Sequence, residues 1–455
     1  MISQTPDNVA GRCESGPSRL ELTWVQWSLL AVFGGYLIWM SFVGLDAIAL
    51  LDEPRLPRRW EIPQLLILHK ILCAGAAIAA GVLFLLTARF EGVSEERARL
   101  ERFATWQFVL FLALALDVRF EFGRLLGSDF RNAAYVAVIL AEVGVLVAHR
   151  DLIRLRPYTL VTLTVAVAAS SALAAVDSLR SEGNVGSMWV QEILRAVACV
   201  AWAFFAWGFL IRRSRIAVAN PAGVGGRVMV FVNWLWFVLC GIVLAGAVVA
   251  IVHVLNDQER LRGLFDLLHL DLEWTVPAFF SSALMFATAC LTAVHSVVSR
   301  ETFGKRWRGR WIVLSAGFVY LAFDESVSVH EFIGGPLLRL FPFLEGIFTF
   351  VWVVVAIPVV VSLAFYFWPM MRDMPAVHRR RWIVAAAVYV GGAVGIESLS
   401  GVVVGATGER GLLYQMIVVV EEGMEMIALW LFLRELVLML PAVPATGKAR
   451  AKESD

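Results

Sequence analysis

The sequence predicts an all-α polytopic membrane protein of about twelve transmembrane helices, arranged as two tandem six-helix repeats of the same orientation. Three observations predict it. The 455-residue chain is 59% hydrophobic and only 17% charged, against roughly 25% charge in a typical soluble domain, and its mean hydropathy is +0.74. Twelve mostly apolar runs come near the ~20 residues that a helix needs to cross a bilayer. The loops between those runs are alternately rich and poor in Lys and Arg.

In chain order the runs are 24–46, 63–87, 104–124, 132–149, 158–177, 189–211, 228–253, 276–298, 310–331, 345–367, 381–403 and 412–439. An even number leaves both ends of the chain on one side. The loops and tails of that side hold 25 Lys and Arg, whereas the opposite loops and span ends hold ten. The positive-inside rule makes the basic side cytoplasmic, so the expected location is a bacterial-type inner membrane with both termini in the cytoplasm. Residues 1–20 are too polar and too long for the charged start of a signal peptide, so the first run reads as a retained helix. A net charge of +1 offers no footprint for nucleic acid. The five cysteines contain no CxxC pair, so neither a disulfide framework nor a zinc-finger spacing is present.

The second half repeats motifs of the first in the same order. Residues 112–117 (LALALD) match 319–324 (VYLAFD), and 175–179 (AVDSL) match 395–399 (GIESL). The pair 189–192 (WVQE) and 419–422 (VVEE) follows, and Trp60 and Pro63 correspond to Trp274 and Pro277. An even number of spans per half gives repeats related by an axis along the membrane normal. The expected units are a tail over 1–22, a first repeat over 23–215, a linker over 216–227, a second repeat over 228–440 and a tail over 441–455.

Two connections stand out. In 255–271, Leu261, Leu264, Phe265 and Leu268 follow helical spacing and predict an amphipathic helix on the outer surface. The apolar loop 332–346 could cap a site or lie at the interface. Trp307 and Trp311, in and just after the basic loop 300–310, read as interfacial anchors.

The functional expectation comes from charge inside the spans. At mid-membrane an ionised side chain costs about 2.5–3.5 kcal/mol on insertion scales, so it marks a site by default. With the topology above, Asp117, Glu121, Asp177, Asp324, Glu331 and Glu397 all fall towards the outer ends of outward-running spans. Glu192, Arg195, Glu421, Glu422 and Glu425 fall in the outer parts of inward-running ones. The first half can neutralise itself, because Arg119 and Arg195 accompany its acids, with Arg195 at the position of Glu425. The second half has Asp324, Glu325, His330, Glu331, Glu397, Glu421, Glu422 and Glu425 with no base near them in those spans. Helical geometry puts Asp324, Ser328 and Glu331 on one face and turns His330 away from it.

Carboxylates collected in low dielectric can bind a cation, hold protons or pair with arginines from elsewhere. Carboxylates plus one histidine on facing helices also form the ligand set of a divalent metal. The expected ligands are Asp324, Glu325, His330, Glu331, Glu397, Glu421 and Glu425, with Glu331 or Glu422 as general base. A divalent metal ion is thus the expected cofactor, although no Glu-x-x-His or His-Glu-x-x-His spacing is present. Three functions follow: a membrane-embedded, metal-dependent enzyme acting from the periplasmic side on a lipid or small molecule, a proton- or cation-coupled secondary transporter, or an accessory subunit whose acids hold the bundle together. In each case membrane lipids surround the protein. His69, Lys70 and His253 lie near an outer interface, where they can reach water.

Overall fold

In the computed structural model the described residues are 61–87, 95–120, 128–150, 157–178, 185–219, 227–256, 264–272, 275–298, 305–328, 330, 337, 339–340, 351–407 and 411–440. Every regular element among them is helical. In order these are α1 (Glu61–Thr87), α2 (Glu95–Phe120), α3 (Ser128–Ala148), α4 (Pro157–Ser178), α5 (Val185–Ala219), α6 (Arg227–Leu255) and the single turn α7 (Leu264–Leu267). They continue with α8 (Val276–Val298), α9 (Arg308–Val327), α10 (Val353–Asp373), α11 (Ala376–Val390), a π-helical turn (Gly391–Ile396), α12 (Glu397–Thr407) and α13 (Leu412–Met439).

Seven stretches of these helices are long and apolar enough to cross a membrane: His69–Thr87, Ala98–Phe120, Val190–Ile211, Val228–Leu255, Val276–Val298, Val353–Asp373 and Ala376–Ala406. Two shorter apolar stretches are Val136–Ala148 and Leu160–Leu173. The chain is compatible with an integral, multi-pass membrane protein. α9 and α13 are of spanning length but carry the charged residues of the expected site, Asp324 and Glu325 on one and Glu421, Glu422 and Glu425 on the other. The expected first span, 24–46, lies outside the described residues, as does most of the loop 332–346.

Packing follows the apolar faces. α1 packs against α2 and α5, and α4 against α5. In the second half α8 packs against α9 and α13, and α11 against α13. The two halves meet where α1 lies on α8. There the Phe286 ring sits within 2.5 Å of where a Cβ on Gly75 would stand, so only glycine allows this approach. Phe84, Phe103, Phe111, Phe205 and Phe209 fill the core of the first half in edge and stacked contacts. Of the seven apolar stretches, that of α8 is the most enclosed and that of α10 the least. Trp234, Phe237 and Leu244 of α6 and Phe365 of α10 face outward, where hydrocarbon rather than water would cover them.

Two local expectations change. Of the amphipathic helix expected over 255–271, residues 257–263, Leu261 among them, lie outside the described residues; Leu264–Leu267 form the single turn α7, and Leu268, Leu270 and Asp271 lie in turns beyond it. Trp311 is 2% exposed, stacked on His295 and edge-on to Trp382. It is a core residue, because α8, α9 and α11 converge on it. Trp307 is also buried, lying beneath the guanidinium groups of Arg306 and Arg310.

Candidate functional site

The site is assembled from four pieces of the second half. The first is the end of α9. Its last turn is tied to α8 by Ser282, whose hydroxyl bonds Ser326 at 2.8 Å and the Ala322 carbonyl at 3.2 Å. The helix stops at Val327 because Ser328 takes the left-handed conformation, with φ of 48°. For a residue with a Cβ that costs about 1–2 kcal/mol. The turn brings the chain back on itself, so that His330 donates its backbone N–H to Asp324 Oδ1 at 2.8 Å and its ring Nδ1–H to Oδ2 at 3.0 Å. The expectation that His330 turns away from Asp324 assumed a helix running to 331, and the reversal at Ser328 overturns it. Glu331 lies outside the described residues.

The second piece is Trp352, immediately before α10. Its ring packs on His330, with centroids 4.8 Å apart, and its indole N–H donates to Glu397 Oε1 at 2.8 Å. One aromatic side chain therefore joins the Asp324–His330 pair to Glu397.

The third piece is the break between α11 and α12. The sequence Gly391-Gly-Ala-Val-Gly-Ile396 forms a π-helical turn, and Glu397 begins the helix that follows. Such turns insert one extra residue and recur at functional sites. A Cβ on Gly392 would stand 3.1 Å from the Glu421 carbonyl and 3.2 Å from Glu425 Cγ. The small residue thus lets the turn lie directly on the acidic part of α13. Tyr389, one turn earlier, makes a side-chain hydrogen bond to Glu425.

The fourth piece is α13. Glu422 has the carboxylates of Glu325, Glu425, Glu421 and Asp271 as electrostatic neighbours. Glu425 has Glu325, Glu421 and Glu397, and Glu421 has Glu397, Asp271 and Glu325. Acids from α9, α12 and α13 thus share one field. Asp324 reaches it through Tyr389, which is also a neighbour of Glu425, Glu325 and Glu422. Asp271 extends the cluster into the turn after α7. Its Oδ1 accepts from the Tyr414 hydroxyl at 3.0 Å, and its backbone N–H donates to His269 Nδ1 at 3.2 Å. His253, at the end of α6, meets His269 edge to face at 5.1 Å.

The first half is different. Glu192 binds Arg195 at 2.7 and 2.8 Å and lies 3.1 Å from His69 Nε2. The Glu192 carboxylate is therefore held between a guanidinium and an imidazole. Charge reading expected this neutralisation from Arg195. The sequence reading missed Trp352, Tyr389, Asp271 and Tyr414. The first two are neutral donors in apolar surroundings, and Asp271 sits in a loop, where acids are ordinary.

Chemically the cluster offers carboxylate oxygens from several helices, with two phenols, an indole and an imidazole as donors. Among the described residues, no three of His, Cys, Asp and Glu converge in a group that could hold a metal ion. No curated protein and no solved structure matches the chain. Residues 221–440, which include every residue of the cluster, match the model of a family described as a domain of unknown function (DUF8692).

Proposed function

We propose that the protein is a polytopic inner-membrane carrier that moves a small solute in exchange with protons or another cation, which bind at the carboxylate cluster of the second half. The observation that carries this reading is the shared field of Glu325, Glu397, Glu421, Glu422 and Glu425. Like charges gathered from three helices in a low-dielectric region favour taking up protons or another cation, and a cation that can leave again is what coupled transport uses. The hydrogen bonds from Tyr389 and Trp352 come from neutral donors, so they orient the acids without adding charge.

In this reading the chain has about twelve spans in two six-helix repeats, with both termini cytoplasmic. Support comes from the packing, since the pairs α1–α2, α1–α5 and α4–α5 recur as α8–α9, α8–α13 and α11–α13. The family match over 221–440 supports treating the second half as one unit. The first half, with Glu192 neutralised, serves as the counterpart against which the second half moves.

A second reading is a membrane-embedded, metal-dependent enzyme acting on a lipid or small molecule. It draws on Asp324 fixing His330 through Nδ1, the orientation that ligating imidazoles commonly carry. Asp324, Glu325, His330, Glu331, Glu397, Glu421 and Glu425 would supply the ligands, with Glu331 or Glu422 as base. A divalent ion there would polarise a substrate oxygen or a water.

One pair of measurements on detergent-purified protein and proteoliposomes separates the two. The carrier reading expects proton or cation flux in proteoliposomes, abolished by Glu421→Gln with Glu425→Gln, and no stoichiometric metal. Stoichiometric divalent metal lost in the same variant, without flux in the wild type, sinks the carrier reading in favour of the enzyme.

A further inference from the structure

The seam between α11 and α13 that holds Tyr389, Gly392 and Glu425 at one end is closed by a second charged cluster at the other. Glu435 of α13 is 3% exposed. Its Oε1 is held by His378 Nδ1 and its Oε2 by Arg381 Nη1 at 3.1 Å, both from the first turns of α11. His378 and Tyr389 are eleven residues apart, or about 16 Å along the helix at 1.5 Å per residue. The stretch between the clusters is apolar. Ala385, Met426 and Leu429 are each no more than 1% exposed, and Trp382 lies edge-on to Phe432 with ring centroids 5.7 Å apart. His295 of α8 reaches the same region, its Nε2 bonding the Leu436 carbonyl at 2.9 Å.

Desolvating a carboxylate is expensive, and where only helix contact is needed a buried ion pair is commonly no better than apolar packing of the same volume. Here both oxygens of one carboxylate are taken by basic side chains, an imidazole and a guanidinium, and both belong to the opposite helix. When the helices part, each group can be hydrated separately: Arg381 is already half exposed, and His378 lies partly open. Apolar packing would lack that property.

We propose that Glu435, His378 and Arg381 form the gate at the basic end of this seam, in which the protein's own basic side chains occupy the carboxylate that the leaving cation would meet. This rests on the carrier reading and adds to it where the path is closed. The state described here is shut at the basic end by the gate and by the apolar stretch above it.

The test uses the full chain without its native cysteines, carrying Ala385→Cys one turn above Arg381. Membrane vesicles of both orientations are treated with a membrane-impermeant maleimide. The expected result is slow labelling from the basic side in the parent. It rises severalfold in Glu435→Gln and in Arg381→Gln, and returns to the parent rate when Glu435→Arg is combined with Arg381→Glu. The rescued pair shows that a rise in labelling reflects an opened gate rather than an unfolded bundle. Equal labelling in all four chains overturns the gate, even if the wild type carries cations. Graded labelling with no cation flux in the wild type keeps the closure and overturns the carrier reading instead.

Discussion

Trp352 donates its indole N–H to Glu397 at 2.8 Å while its ring packs against that of His330, tilted by 52°. A residue without charge thus fixes the geometry between two titratable ones. Trp352→Phe keeps the aromatic surface against His330 and removes only the N–H. A hydrogen bond to a charged group contributes about 1.5–3 kcal/mol, so cation affinity, measured by titration calorimetry on purified protein, should change by roughly ten- to a hundredfold. Thermal stability should move far less. An unchanged affinity would mean that Trp352 is packing only.

Tyr389 and Glu425 form a cross-helix pair in the same cluster. Tyr389→Phe, Glu425→Gln and the double variant define a thermodynamic cycle. Groups in direct contact couple by about 0.5–3 kcal/mol, whereas independent ones add within a few tenths. The expected coupling in cation binding is about 1 kcal/mol or more. Strict additivity would show that the phenol does not act on the carboxylate.

The acids of α9, α12 and α13 were legible in the sequence because charge inside an apolar run is anomalous and helical spacing says which turns carry it. His330 was misread because the turn at Ser328 is a backbone event at a residue with a Cβ, where nothing in the residue type announces a positive φ. Trp352, Tyr389 and Tyr414 stayed invisible because an aromatic donor in a membrane helix resembles any other apolar residue until its partner is known. Trp311 was misplaced because tryptophan beside a basic loop fits an interface and a three-helix junction equally well.

The two glycines of the π turn should respond differently. A Cβ on Gly392 meets the Glu421 carbonyl at 3.1 Å, while at Gly395 nothing lies within 4 Å. Gly392→Val should therefore destabilise the protein by about 1–3 kcal/mol, the usual cost of overpacking, and should separate the turn from α13. Gly395→Ala should be tolerated. Melting temperatures in detergent and cation affinity together check this, and equal effects at both positions would contradict the close approach.

Glu192→Gln tests the asymmetry between the halves. It takes a carboxylate away from Arg195 and His69 in a mostly buried position. Removing one partner of a buried pair costs about 3–5 kcal/mol, and Arg195 is one-quarter exposed, so about 1–3 kcal/mol is expected here. The loss should appear as a lower melting temperature, with cation affinity per folded molecule unchanged. A selective loss of affinity would place the first half in the binding site.

The π turn is a dislocation in an otherwise continuous rod. It holds one residue more than an α-helix would over the same length, and the widened turn absorbs that surplus. Deleting a single residue from 391–396 would anneal the defect and leave α12 close to its present phase, with Glu397 still on the side of Trp352. Deleting a residue from the regular helix of α11 instead, with the bulge intact, would turn the seam-facing side chains before the cut by about 100° against those after it. The bulge therefore works as a buffer for length: the cluster would tolerate loss of a residue inside it and not beside it.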